Sequence, residues 1–141
     1  MEIMQISVFA ENRPGRLAEL TERIAALGID LRALSLADSA EYGVLRMIVA
    51  EPEKALACIK AAGMMAAGTP VLGVAVDDVP GGFARVVRIL ADASVSVDYA
   101  YAFLTPTGGK AGVILRVKDN AAAAAALQLA KVELLTQEQI F

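Results

Sequence analysis

Asn12-Arg13-Pro14-Gly15-Arg16-Leu17-Ala18 and Asp78-Val79-Pro80-Gly81-Gly82-Phe83-Ala84 stand 66 residues apart and share one layout. Each follows a short apolar run, Ile3 to Phe9 or Val71 to Val76, and each opens a segment with apolar residues at helical spacing. At the same offset Leu20, Ile24, Ile29 and Leu31 fall on Val86, Leu90, Val95 and Val97. Pattern and punctuation recur together, which identifies an internal repeat. Farther along, the offset reads as 69, with Gly43-Val44-Leu45 against Gly112-Val113-Ile114 and a longer turn, Thr105 to Lys110, in the second copy. Turns are where structural repeats accept insertions. The boundary is expected near Gly68-Thr69-Pro70, giving units 1–68 and 69–141 with almost no linker, packed side by side.

In the first unit Ile3 to Phe9 alternates, with Met4, Ile6 and Val8 on one side and Gln5 and Ser7 on the other, which predicts a strand with one buried face. Leu17, Leu20, Ile24 and Leu27 predict an amphipathic helix stopped by Gly28. Ile29 to Ala37 and Val44 to Ala50 form a strand pair turned over Asp38 to Gly43, and Glu51-Pro52 opens a helix carrying Leu56 and Ile59. A short strand at Met64 to Ala67 closes the unit. The second unit repeats this order: a strand at Val71 to Val76, a helix across Phe83 to Leu90, and strands at Val95 to Phe103 and Gly112 to Val117. Asp119 or Asn120 caps an alanine-rich helix through Ala130, Val132 to Thr136 is the closing strand, and Gln137 to Phe141 is a loose or docked tail.

Two βαββαβ units imply an α+β fold: ferredoxin-like halves, each an antiparallel sheet with both helices on one face. The opposite faces are not polar, because Leu34, Leu36 and the row Tyr99, Tyr101, Phe103 leave apolar groups on both sides of their strands. Something is expected to cover them, whether the sister unit, a second chain or a ligand.

Composition narrows the chemistry. The 141 residues carry a net charge of −3 and a hydrophobic share of 57%, much of it alanine, with 5% aromatics. The isoelectric point of about 4.9 and the absence of any basic block argue against nucleic acid. No apolar stretch reaches the roughly 18 residues of a membrane span, and the N-terminus does not read as a signal peptide, so a cytoplasmic location is expected. The single Cys58, in a chain without histidine, cannot form an intrachain disulfide or a Cys/His metal site. No nucleophile elbow, metal constellation or phosphate loop is present, and Gly108-Gly109-Lys110 reads as a hairpin. The expectation is no enzyme, no cofactor and no metal.

Asn12-Arg13-Pro14-Gly15-Arg16-Leu17-Ala18 followed by Gly28-Ile29-Asp30-Leu31 resembles the signature of the ACT domain. That signature is a strand running into Asn/Asp-x-Pro-Gly-x-Leu/Phe-Ala, then a helix ending before Gly-Ile-Asn/Asp-Ile. Asp78-Val79-Pro80-Gly81-Gly82-Phe83-Ala84 matches as well, with Ser94 in place of the glycine before Val95-Ser96-Val97. The resemblance covers the chain twice and is closest to standalone tandem ACT proteins without a catalytic domain. It implies a regulatory module, expected to act as a homodimer, that holds a small ligand where two ACT units meet, at the loop between first strand and first helix. A free amino acid is the expected ligand.

The loop residues have a physical logic of their own. Asn12 and Asp78 can cap or shape the turn, Pro14 and Pro80 fix φ, and Gly15 and Gly81 let backbone approach a ligand. Unpaired N–H groups at the helix start can receive a carboxylate. The same residues also suffice for a plain tight turn. Arg13 and Arg16 can pair with a carboxylate or sit in solvent, and Leu17, Gly82 and Phe83 complete the two loops. Tyr99 and Tyr101 lie on the strand that in many ACT pairs faces a partner's loop, where they would touch ligand or simply pack. Asp30 or Asp98 is a further candidate for an ammonium group. Arg13 and Arg16 face Val79 and Gly82 across the repeat, so the two sites are chemically unequal. The competing reading is an association module with a vestigial ligand site.

Overall fold

The computed structural model describes residues 2–11, 13–38, 42–103 and 108–141. Asn12, the Ser39 to Glu41 part of the first hairpin and the Thr105 to Thr107 part of the second lie outside them. The chain divides into a unit spanning Met4–Thr69 and a second of Pro70–Phe141 with the N-terminal residues through Ile3.

The first unit contains β1 (Ile3–Glu11, from Met4 on), α1 (Arg16–Ala26), β2 (Leu31–Asp38), β3 (Tyr42–Val49), α2 (Pro52–Ala61) and the first residues of β4 (Met65–Asp77). Its antiparallel strands run β2-β3-β1, with Ile6 opposite Met47 and Leu34 opposite Met47 on the other side. β4 neighbours β1, where Gly68 faces the Met4 sulfur. Ile6, Val8, Leu45 and Met47 meet Leu20 and Ile24 of α1 and Ala55 and Ile59 of α2 in one core. Both helices thus lie on one face, as expected for a ferredoxin-like α+β unit.

The second unit repeats this with the rest of β4, α3 (Gly82–Asp92), β5 (Val97–Phe103), β6 (Lys110–Val117), α4 (Asn120–Leu129), the two-residue β7 (Leu134–Leu135) and a final turn of helix, α5 (Gln137–Ile140). Its strand order is β7-β4-β6-β5. Leu72, Val74, Leu115 and Val117 pack on Val86, Leu90, Ala123 and Leu127. Among the described residues no helix is long and apolar enough to cross a membrane.

Several details differ from the sequence reading. The late offset is 68, because the registers place Met47 with Leu115 opposite the equivalent Ile6 and Leu72. A side chain changes face with every residue of a strand, so the offset of 69 would have put Leu45 and Val113 on opposite faces. Met64 to Ala67 and Val71 to Val76 are one unbroken strand, Met65–Asp77. β1 is not buried on one face only: Gln5 and Ser7 are 0% and 8% exposed, and Gln5 Nε2 donates to Ser7 Oγ at 3.0 Å. Alternation marks which residues share a face and says nothing of whether the polar face is covered. In α2 the inward residues are Ala55 and Ile59, with Leu56 half-buried. The C-terminal tail is docked: Thr136 caps α5 in a reciprocal box with Gln139, and Ile140 is 1% exposed. Ile140, Leu135 and Ile3 close over Gly73, whose missing side chain makes the room.

Four helices end alike. Ile29 N–H donates to Ile24 O and Gly28 N–H to Ala25 O, a Schellman closure repeated by Met64 and Gly63, by Val95 and Ser94, and by Val132 and Lys131. It needs a left-handed residue, supplied by Gly28 and Gly63 in the first unit but by Ser94 (φ 60) and Lys131 (φ 61) in the second. A side chain costs roughly 1 kcal/mol there. Ser94→Gly is therefore expected to stabilise the protein by about 0.5–1 kcal/mol and raise Tm by roughly 2–3 °C. Calorimetry checks this, and an unchanged or lower Tm would contradict the assignment.

Candidate functional site

In both units the strand-to-helix loop is a turn closed by Pro-Gly. Gly15 (φ 84) and Gly81 (φ 86) are the N-caps of α1 and α3, in a left-handed conformation that favours glycine. Among the described residues neither helix start receives a side-chain cap. Asp78 therefore shapes the turn through its backbone, its N–H donating to Gly109 O at 3.3 Å. Arg16 N–H and Gly82 N–H donate back into their loops, to Arg13 O at 3.3 Å and Val79 O at 3.0 Å, and the next N–H groups of each first turn lie at the positive end of the helix dipole.

The loops differ in their side chains. Arg13 is exposed and pairs with Glu11 at 3.2 Å, while Arg16 pairs with Glu19 at 3.1 Å with its side chain 17% exposed. Hydrogen bonding from Arg16, with Arg23 adding to it, holds the Glu19 carboxyl below its ordinary range. The Arg16 Nε is buried with no partner among the described residues. In the second loop Gly82 takes the place of Arg16, and a side chain there would run into the Asp77 carbonyl.

Each unit has a cleft between its loop, the start of its first helix and its edge strand. In the second unit Val76, Asp77, Asp78, Val79, Phe83, Ala100, Tyr101, Ala102, Ala111 and Val113 line a volume of about 340 Å³. The matching cleft of the first unit, lined by Ala10, Glu11, Arg13, Arg16, Leu17, Leu20, Leu36, Gly43 and Leu45, measures about 70 Å³. A trough of about 320 Å³ lies beside it, lined by Leu17, Ala18, Thr21, Leu31, Leu34 and Leu45.

The structure thus gathers Asp78, Phe83 and Tyr101 at one cleft, and Arg13, Arg16 and Leu17 at the other. Pro14, Gly15, Pro80 and Gly81 form the turns beside them. Asn12 lies outside the described residues. Tyr99 and Tyr101 share the strand face opposite Ala100 and Ala102; Tyr101 still borders the cleft, whereas Tyr99, paired across the strands with Arg116, does not. Ala100 and Ala102 went unnoticed in the sequence, although the 66-residue offset sets them against Leu34 and Leu36.

Two ferredoxin-like units, each with a Pro-Gly loop and a cleft at the start of its first helix, define a tandem of small α+β modules. The model of the ACT domain pair matches residues 1–141, and the chain belongs to that family. Protein BT0572 from Bacteroides thetaiotaomicron superposes with a TM-score of 0.93 at 35% identity, over 99% of this chain and 96% of that one. The regulatory subunit of aspartate kinase from Thermus thermophilus, in a ligand-free form, gives 0.67 at 18% identity over 90% and 91% of the chains. That from Thermus flavus gives 0.65 at 15% over 93% and 94%, and at these identities the likeness is one of fold. No curated protein sequence matches the chain.

Proposed function

We propose that this ACT domain pair is a non-catalytic regulatory module that binds a free amino acid at the strand-to-helix loop of its second unit. The observation that carries this reading is the cleft of about 340 Å³ beside the uncapped start of α3. Its size suits an amino acid, at the small end of ligand pockets. The first-turn N–H groups offer a place for the α-carboxylate, and Asp78 supplies a charge for the α-ammonium. The family and the regulatory subunits that share the fold support regulation over catalysis. A ligand shifts an equilibrium only through unequal affinity for two states, so regulation requires a second state of the chain or its assembly.

Exposed leucines favour a second reading. Leu17, Leu34 and Leu36 are 41%, 51% and 53% exposed along α1 and the edge strand β2, a surface suited to association, for which a homodimer is the simplest form. In that case the ligand site is vestigial.

Thermal unfolding against each of the twenty amino acids separates the two. A true ligand at a hundredfold its Kd adds about 2.7 kcal/mol, roughly 5–10 °C in Tm for a chain of this size. No shift with any of them at millimolar concentration would reject the amino-acid reading and leave association.

A further inference from the structure

The clefts at the two loops occupy the same place in a repeated fold, yet the one bounded by Leu36 measures about 70 Å³ and the one bounded by Ala102 about 340 Å³. The rest of the first unit's space is the separate trough of about 320 Å³ beside Leu34, which lacks the loop residues Glu11 and Arg13. The cause lies in the edge strands. Leu36 stands beside Leu45 in the register of the first unit, and Ala102 stands beside Val113 in the second. Leu34 and Ala100 differ in the same way one pleat further along. A leucine carries three more carbons than an alanine, and Leu36 and Leu45 both line the smaller cleft. In the second unit the same space is left open between Ala100, Ala102, Val113 and the ring of Phe83.

The walls of that space are aliphatic or aromatic, and its charged edge is acidic, with Asp77 and Asp78 at the mouth. The nearby Lys110 ammonium lies between Asp77, at 3.9 Å, and Glu133, at 3.8 Å. An anionic ligand side chain would meet two carboxylates, and a cationic one reaching inward would lose water against alanine and valine with no counter-charge there. An uncharged apolar side chain gains by burial against the same walls.

We propose that the Ala100/Ala102 gap is a specificity pocket for an amino acid with an uncharged apolar side chain of about leucine's size, and that Leu36 closes the equivalent space in the first unit. The chain then takes one such ligand, in its second unit. This inference rests on the amino-acid reading and adds to it the class of side chain and the residues that select it.

Titration calorimetry of the full chain with L-leucine, L-methionine, L-valine, L-aspartate and L-lysine tests it. Leucine or methionine is expected to bind at one per chain, at least tenfold more tightly than aspartate or lysine. Ala102→Leu, which copies a residue already accommodated in the first unit, is expected to weaken that binding at least tenfold with Tm within a few degrees of the parent. Leu36→Ala, at a half-exposed position, is expected to leave the affinity of the second-unit site unchanged. Binding that prefers aspartate or lysine, or that Ala102→Leu leaves intact, would overturn the specificity pocket while the amino-acid reading stands. If none of the five binds but another amino acid raises Tm, the pocket assignment alone fails; if none of the twenty does, the reading beneath it fails too.

Discussion

Replacing Gly82 by alanine is expected to destabilise the protein by about 3 kcal/mol, the upper range for overpacking a close contact. A methyl group built on Gly82 would lie 2.0 Å from the Asp77 carbonyl oxygen and 3.1 Å from its carbon. Both are main-chain atoms, so relief requires moving the end of β4 or the start of α3. β4 is held there by the pairing of Asp77 with Lys110 and by Asp78 N–H on Gly109 O. α3 is held by Val86 and Leu90, which are 2% and 0% exposed. Gly108→Ala is the control: among the described residues nothing lies within 4 Å of its added methyl, and a change within about 0.5 kcal/mol is expected. Urea unfolding followed by circular dichroism compares the two. Equal midpoints would mean that the loop relaxes freely and that Gly82 is not what seats the helix. Arg16 occupies the same repeat position in the first unit, so the constraint belongs to the path of the second loop and not to the fold.

Leu90→Ala should cost about 3–4 kcal/mol, as for other fully buried leucines whose surroundings collapse only partly. Leu90 packs among Val86, Leu115 and Leu127 between α3 and the sheet. Its carbonyl also receives Val95 N–H at 2.8 Å in the turn that leads into β5. Losing the side chain therefore opens a cavity and removes the apolar contact that accompanies the closure of the helix. Leu129→Ala, at a residue 87% exposed on α4, is expected to change stability by less than about 0.5 kcal/mol. Similar unfolding midpoints for the two variants would contradict the core described for the second unit.

Much of the fold was legible before any coordinates. The strand-turn-helix order follows from alternation in β1, from Leu20 and Ile24 at helical spacing, and from glycine at the end of α1, all local properties of the chain. What alternation did not reveal was the burial of Gln5 and Ser7, because a covered polar face and a solvated one have the same period. The offset in β3 and β6 was misjudged by one for a similar reason. Gly43 and Gly112 look alike as letters, but cross-strand register equates Gly43 with Ala111. The ends of α3 and α4 were legible without glycine, since Ser94 and Lys131 take the left-handed turn there and hydrogen bonds from Val95 N–H to Leu90 O and Val132 N–H to Leu127 O close it.

The candidate site divides along the same line. The sequence by itself determined the repeat of two units, each opening its first helix on a Pro-Gly loop, because turn chemistry and helix starts depend on near neighbours; the ACT type followed from resemblance to that family's signature. The sequence also made the loops unequal, with Arg13 and Arg16 against Val79 and Gly82. Only the tertiary structure decided that the space beside those loops is split in the first unit into a small cleft at the loop and a trough beside Leu34, whereas in the second unit it is continuous. That space is bounded by residues far apart in sequence, Phe83 on a helix and Ala100, Ala102 and Val113 on two strands. Its volume is set by how far those side chains reach once β-sheet register has brought them onto one face.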